Sequence, residues 1–215
     1  MDEPVLNLGQ MQVEHFLLAL GEEEFPTPAS GSAAGMTAAI GAGLLAMSCR
    51  ICLKKNPRSV HLRKTLDEAL KIRQDCLRLA NEDMHVFTRV LSAMKHRKSR
   101  PEPYGEAIRE ATGTLMSIVR QCRRLLEYTV WIVEHCSRTM YEDLGTVAHL
   151  AEAAAMAAAL GARGNARMVP DPGYEEAVRH ELEEHLGSIR QDLARVQTLF
   201  HHDEAPRSDR KEGDQ

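Results

Sequence analysis

The stretch FPTPASGSAAGMTAAIGAGLLAMSCR, residues 25–50, decides how this chain is read. No charged side chain occurs between Phe25 and Arg50. Pro26, Pro28 and Gly31 mark a loop, and Ser30 or Ser32 is expected to cap a helix over about residues 33–53. A membrane span has this length. Ala, Gly, Ser and Thr gain little from lipid, however, so a buried central helix fits better. Gly35, Ala39, Gly43 and Met47 recur every four residues, as do Ala38, Ala42 and Ala46. Small residues at that spacing let another helix backbone come close, either inside one subunit or across a dimer.

Outward from this segment the pattern stays helical. A short helix is expected over 11–20 before it, with Met11, Phe16, Leu17 and Leu20 apolar. Behind it, Leu62, Leu66, Leu70, Leu77, Ala80, Met84, Phe87, Leu91 and Met94 keep a three-to-four spacing over 59–95. Further helices are expected over 104–136, 140–160 and 174–200, with loops at KHRKSRPEPYGE and GARGNARMVPDPG. No strand pattern or internal repeat interrupts them. The fold class is all-α: a bundle of long antiparallel helices around a small-residue-rich central helix, residues 1–200, followed by a disordered polar tail, 201–215.

Composition agrees. Hydrophobic residues make up 43% of the 215, yet aromatics only 4%, which suits packed helices rather than a sandwich or barrel. The 27 basic and 31 acidic residues leave a net charge of −4, against a nucleic-acid partner. Five Cys and an acidic, leaderless N-terminus point to a reducing cytoplasm and no membrane. Cys49 and Cys52 read as core residues of one helix, because no second ligand pair completes a zinc site.

Two acids stand where the pattern expects apolar or small residues. Asp83 lies beside Met84 near the seam of its helix, and Asp143 opens the Ala-rich one. Each is either an ordinary helix-end acid, worth about 0.3–1 kcal/mol, or a carboxylate that binds a ligand or moves a proton. Gly31 and Ser32 start the buried helix, where free N–H groups hold a carboxylate or a polar ring edge. Asn165 reads as a helix terminator, and Arg167 beside it can pair with an acidic substrate. His149 and Glu152 resemble half of a bundle metal site, but the order is reversed and no matching half exists, so no metal is expected.

The segment FLLALGEEEFPTPASGSAAGMTAAIGAGLLAMSC resembles the opening of the cyclodeaminase/cyclohydrolase family, with its PTPGGGS loop and Ala/Gly-rich helix. EDMHVFTRVLSAMK resembles that family's Asp-x-x-x-Phe helix segment, and EDLGTVAHLAEAAAMAAALGARGNARMV its Ser-Asp-x-Gly…Asn-Val-x-Ile-Asn segment. The resemblance runs in order over about residues 11–200. It implies a cytoplasmic homodimer that binds a tetrahydrofolate derivative with no other cofactor. The implied reactions are those of a methenyltetrahydrofolate cyclohydrolase, a hydrolase, or a formiminotetrahydrofolate cyclodeaminase, an ammonia-releasing lyase. By position, Asp83 and Asp143 would be the acids. Gly31, Ser32, Asn165 and Arg167 would hold substrate, with Arg167 or Lys95 meeting its negative charge. Ala29 and Ser30 stand where two glycines are usual, Val169 replaces the last Asn, and Glu142 replaces the Ser before Asp143. These departures support a second reading, a degenerate member that acts as a folate-binding or interaction protein without turnover.

Overall fold

The computed structural model describes residues 7–23, 26–135 and 140–204. A 3₁₀ turn at Leu8–Gln10 precedes six helices: α1 Val13–Ala19, α2 Ser30–Lys55, α3 Val60–Met94, α4 Pro101–His135, α5 Tyr141–Ala166 and α6 Pro172–Glu204. Consecutive long helices pack against one another, and α2 lies between α3 and α5. Cross-helix pairs fix the antiparallel order. Arg89 of α3 meets Glu110 of α4, whereas Arg124 further along α4 meets Glu68 earlier in α3.

Local chemistry explains most boundaries. Ser59 caps α3 by accepting from the Leu62 N–H at 3.3 Å. Pro101 begins α4, where a missing N–H costs nothing. The N-cap of α2 is Ala29, which has no side-chain cap, so neither Ser30 nor Ser32 fills the expected role. Both serines lie inside the first turn.

The second half of α5 corrects the sequence reading. The helix does not stop near residue 160 but continues to Ala166, and its C-cap Arg167 keeps a right-handed backbone at φ −64°, ψ −22°. Gly161 is packing space here. A Cβ on it would lie 2.9 Å from Leu115 Cδ1 of α4. Buried Ala162 and Ala166 anchor the extra turns in the core, so Asn165 belongs to the helix and is no left-handed terminator.

The small-residue ridge of α2 divides in two. A Cβ on Gly35 would fall 2.9 Å from the Ala80 Cβ and 3.0 Å from the Cys76 carbonyl, so this half of the ridge seats α3. Gly43 has nothing within 4 Å of its Cβ position, and Met47 and Ile40 are exposed. In α3 the buried stripe runs through Leu62, Thr65, Ala69, Ile72, Cys76 and Leu79, whereas Leu66, Leu70 and Leu77 are half-buried. Burial between two neighbours, α2 and α4, widens and rotates the apolar arc relative to a single-sided seam. In α4, Leu115, Val119, Cys122, Leu126, Val130 and Val133 keep a three-to-four spacing and are all buried.

Cys49, Cys52, Cys76 and Cys122 are free and buried in the same core. Burial pushes the Cys49 and Cys76 thiols up to about 12, which keeps them protonated and inert. Two helices, α2 and α5, are long and apolar enough to cross a bilayer, and each has about half of its apolar window buried within the subunit. Only the first of these stood out in the sequence. The helix expected to end at Phe200 reaches Glu204, and residues 205–215 of the expected tail lie outside the described residues.

Candidate active site

Where α2 begins, α3 has reached Asp83. The Asp83 carboxylate sits directly over Gly31. A Cβ on that glycine would lie 2.5 Å from Asp83 Cγ and 2.7 Å from Oδ2. The neighbouring Ser32 side chain is fully buried. Its Oγ lies 2.9 Å from the Ala80 carbonyl and 3.2 Å from Asp83 Oδ2, so one hydroxyl proton is shared between helix backbone and carboxylate. The Ser32 N–H also donates to Asp83. Asp83 therefore caps α2 from a neighbouring helix, in place of the cap that Ala29 cannot supply. The N–H groups expected to face an outside ligand hold the protein's own carboxylate.

Two opposed effects act on Asp83. Burial disfavours the charged form and raises its pKa, and the hydrogen bonds from Ser32 lower it. Burial dominates, so the carboxyl stands above its ordinary range. A half-buried acid with a raised pKa, fixed by two donors, is equipped to accept and return a proton.

The remaining expected site residues spread along the bundle. Asn165 belongs to the same end as Asp83, because Gly161 of α5 packs on Leu115 of α4 and Glu110 of α4 pairs with Arg89 of α3. Arg167 is exposed and lies 3.7 Å from Glu175 of α6. Two positions apart on a helix, it points about 200° away from Asn165. Lys95 is the exposed C-cap of α3, about 18 Å of helix beyond Asp83. Asp143 is the exception: about 33 Å of helix separates it from Asn165. It opens α5 beside the end of α4, at the opposite end of the bundle from Asp83. Within one subunit the two acids do not converge. Among the described residues His149 and Glu152 form an isolated pair at 3.9 Å, and no group of three or more His, Cys, Asp or Glu converges on a metal position.

Sequence reasoning missed Ala80. Its small side chain lets Gly35 approach, and its carbonyl receives the Ser32 hydroxyl. It missed Arg109 as well, which pairs with Asp171 at 2.8 Å and lies 4.2 Å over the Tyr174 ring. That contact fastens the α5–α6 connection to α4 and holds Val169 buried where the family pattern has Asn.

Comparison with known proteins identifies the family and the fold. The chain is 26% identical to the methenyltetrahydrofolate cyclohydrolase of Methylorubrum extorquens over 185 residues, covering 81% of this chain and 88% of that one. Its fold matches the crystal structure of formiminotetrahydrofolate cyclodeaminase from Thermotoga maritima with a TM-score of 0.84 at 21% identity, covering 91% of this chain and 98% of the other. The family model described as formiminotransferase-cyclodeaminase matches residues 12–184. With that span matched along most of its length, the chain belongs to the formiminotransferase-cyclodeaminase family.

Proposed function

We propose that this protein is a folate one-carbon enzyme acting at the N5–N10 bridge of tetrahydrofolate, as a methenyltetrahydrofolate cyclohydrolase or a formiminotetrahydrofolate cyclodeaminase. The observation that carries the reading is the half-buried Asp83 carboxyl, seated over Gly31, held by Ser32 and raised in pKa. In the hydrolytic direction Asp83 takes a proton from the water that adds to the methenyl carbon. It returns that proton to N5 as the C–N5 bond breaks, which leaves the formyl group on N10, and the hydroxyl proton of the tetrahedral carbon goes to solvent. In the deaminating direction N10 attacks the carbon of the protonated formimino group, Asp83 takes the N10 proton and passes it to the resulting amino nitrogen, and ammonia leaves as that C–N bond breaks, which gives the methenyl cation.

Asp143 joins this site only from a second copy. The exposed faces of α2 and α5 carry Ile40 and Met47, and Met156 and Leu160, with Ile40 57% and Leu160 67% exposed. A twofold axis perpendicular to these helices pairs them antiparallel. That arrangement carries Asp143 of one subunit toward Asp83 and Asn165 of the other. Lys95 is the candidate partner for the negative end of the folate, because Arg167 is drawn to Glu175 and faces away from Asn165. The reading places the protein in the cytoplasm, with no cofactor beyond the folate.

The test is the absorbance decay of methenyltetrahydrofolate and the ammonia released from formiminotetrahydrofolate with purified protein. Acceleration of either that is lost in Asp83→Asn supports the proposal. No acceleration of either, with folate still bound, leaves the non-catalytic reading in its place.

A further inference from the structure

The end of the bundle opposite Asp83 carries a concentration of positive charge around the α2–α3 connection. The run RICLKKNPRSVHLRK, residues 50–64, contains Arg50, Lys54, Lys55, Arg58, Arg63 and Lys64, and no Asp or Glu occurs from Phe25 to Leu66. The protein as a whole has a net charge of −4, so this is a local excess of the opposite sign. Among the described residues none of the six cations pairs with a carboxylate. Of the acids at this end, Glu68 pairs with Arg124 and Glu134 with Arg195, and Glu127 and Asp192 line a separate pocket beside Lys64.

Two of the six, Lys55 and Arg58, line a formed cavity. Lys55, Arg58, Ser59, Trp131 and His135 line a space of about 550 Å³ where the α2–α3 connection meets the end of α4. Arg63 braces its floor by donating to the Pro57 carbonyl. Trp131 forms one wall and stacks with two imidazoles, His61 at 4.9 Å and His135 at 4.6 Å between ring centroids. His135 Nδ1 donates to the Trp131 carbonyl at 2.8 Å, which fixes that ring and leaves Nε2 uncommitted. The cavity thus has rigid aromatic walls, two unneutralised cations on its rim and no acidic lining residue.

We propose that this cavity binds a small anion carrying two adjacent phosphoryl groups, free or as part of a nucleotide. A single carboxylate would neutralise only one of the converging cations. Adjacent phosphoryl groups present several charged oxygens to Arg58 and Lys55 together, the planar guanidinium taking two of them and the ammonium acting as a point charge. The surrounding cations outside the cavity raise the local anion concentration. Trp131 already stacks with His61 and His135, so recognition rests on the phosphoryl groups and an attached base is not required. The inference is independent of the folate reading.

Trp131 is the chain's one tryptophan, so its fluorescence reports this end of the bundle. It lines both this cavity and a neighbouring one beside Glu127 and Asp192, and the paired variants below assign the signal to one of them. Inorganic pyrophosphate, titrated at physiological salt, is expected to change that emission saturably, and orthophosphate about tenfold more weakly. ATP as a second probe separates the sources: tighter binding than pyrophosphate identifies a nucleotide, and weaker binding a free oligophosphate. Lys55→Ala/Arg58→Ala is expected to weaken pyrophosphate binding about tenfold or more, with far-ultraviolet circular dichroism unchanged. Arg50→Ala/Lys54→Ala, which removes equal charge outside the cavity, is expected to change it less than about twofold. No saturable signal with pyrophosphate, equal loss in both double variants, or binding confined to long polyanions such as heparin would overturn the proposal.

Discussion

The Asp83 carboxylate occupies the space that a side chain on Gly31 would fill. This relationship joins the start of α2 to the middle of α3 and gives the glycine a steric reason, not a conformational one. Gly31→Ala puts a methyl group 2.5 Å from Asp83 Cγ, while the donors of the adjacent Ser32 hold the carboxylate in place over that position. We expect a loss of about 1–3 kcal/mol in stability, as for other overpacked positions. Turnover should fall more steeply than stability accounts for, because the proton carrier itself is displaced. Chemical denaturation and the methenyltetrahydrofolate assay together check both. An unchanged melting temperature would show that Asp83 moves freely.

Asp83 also sets a pH signature. Its folded pKa lies above the ordinary aspartate value of 3.8 because burial outweighs the Ser32 hydrogen bonds. A group raised on folding contributes stability below its unfolded pKa and loses that contribution as pH rises through the folded value. Comparison of wild type with Asp83→Asn isolates the effect. Relative to the variant, wild type should lose stability as pH climbs from 3.8 through the raised value and stay level above it. The variant should lose activity by roughly 10²–10⁴-fold if the carboxyl is the proton carrier.

Ser32 tunes that signature. Its hydroxyl and N–H both lower the Asp83 pKa. Ser32→Ala removes the hydroxyl and keeps the N–H, so the Asp83 pKa should rise further. The acid limb of the kcat/KM profile should move to higher pH by a measurable fraction of a unit. A drop in kcat/KM with no movement of the profile would assign Ser32 a purely structural part.

The fold was legible in the sequence because its signals are local. The uncharged run from Phe25 to Arg50 and the three-to-four spacing over 59–95 each act within a few turns. The end of α5 was not, because Gly161 and Gly164 look like stops until Leu115 is seen filling the space beside the first. The site was half legible. Gly31, Ser32 and Asp83 stood out separately, but that the carboxylate caps α2 depends on the register of α3 against α2, a long-range property no motif carries. The position of Asp143 was hidden for the same reason: helix direction decides which end of the bundle an acid reaches.

That direction yields a complementation experiment. If each site combines Asp83 of one subunit with Asp143 of another, Asp83→Asn and Asp143→Asn proteins are each inactive alone. Mixed under conditions that exchange subunits, half of the dimers become heterodimers, and each carries one intact site and one doubly damaged site. Activity should return to about a quarter of wild type. If both acids served the same subunit's site, every site in the mixture would stay damaged and no activity would return.

The apolar face supplies an independent check on the same assembly. Ile40 and Leu160 are exposed on adjacent helices, and Gly43 and Gly164 near them have nothing within 4 Å of a Cβ position. A second copy can therefore bring its backbone close at both places. Leu160→Glu puts a charge where the subunit itself makes no demand, so folding should be preserved. Association should fail, because an unpaired carboxylate in an apolar interface costs several kcal/mol. Sedimentation should then show a monomer with unchanged helical content. Its Asp83 retains Gly31 and Ser32 but has no second acid within reach, so turnover should disappear although Leu160 touches none of these groups. A Leu160→Glu protein that sediments as wild type would remove α5 from the interface, and with it the route by which Asp143 reaches the site.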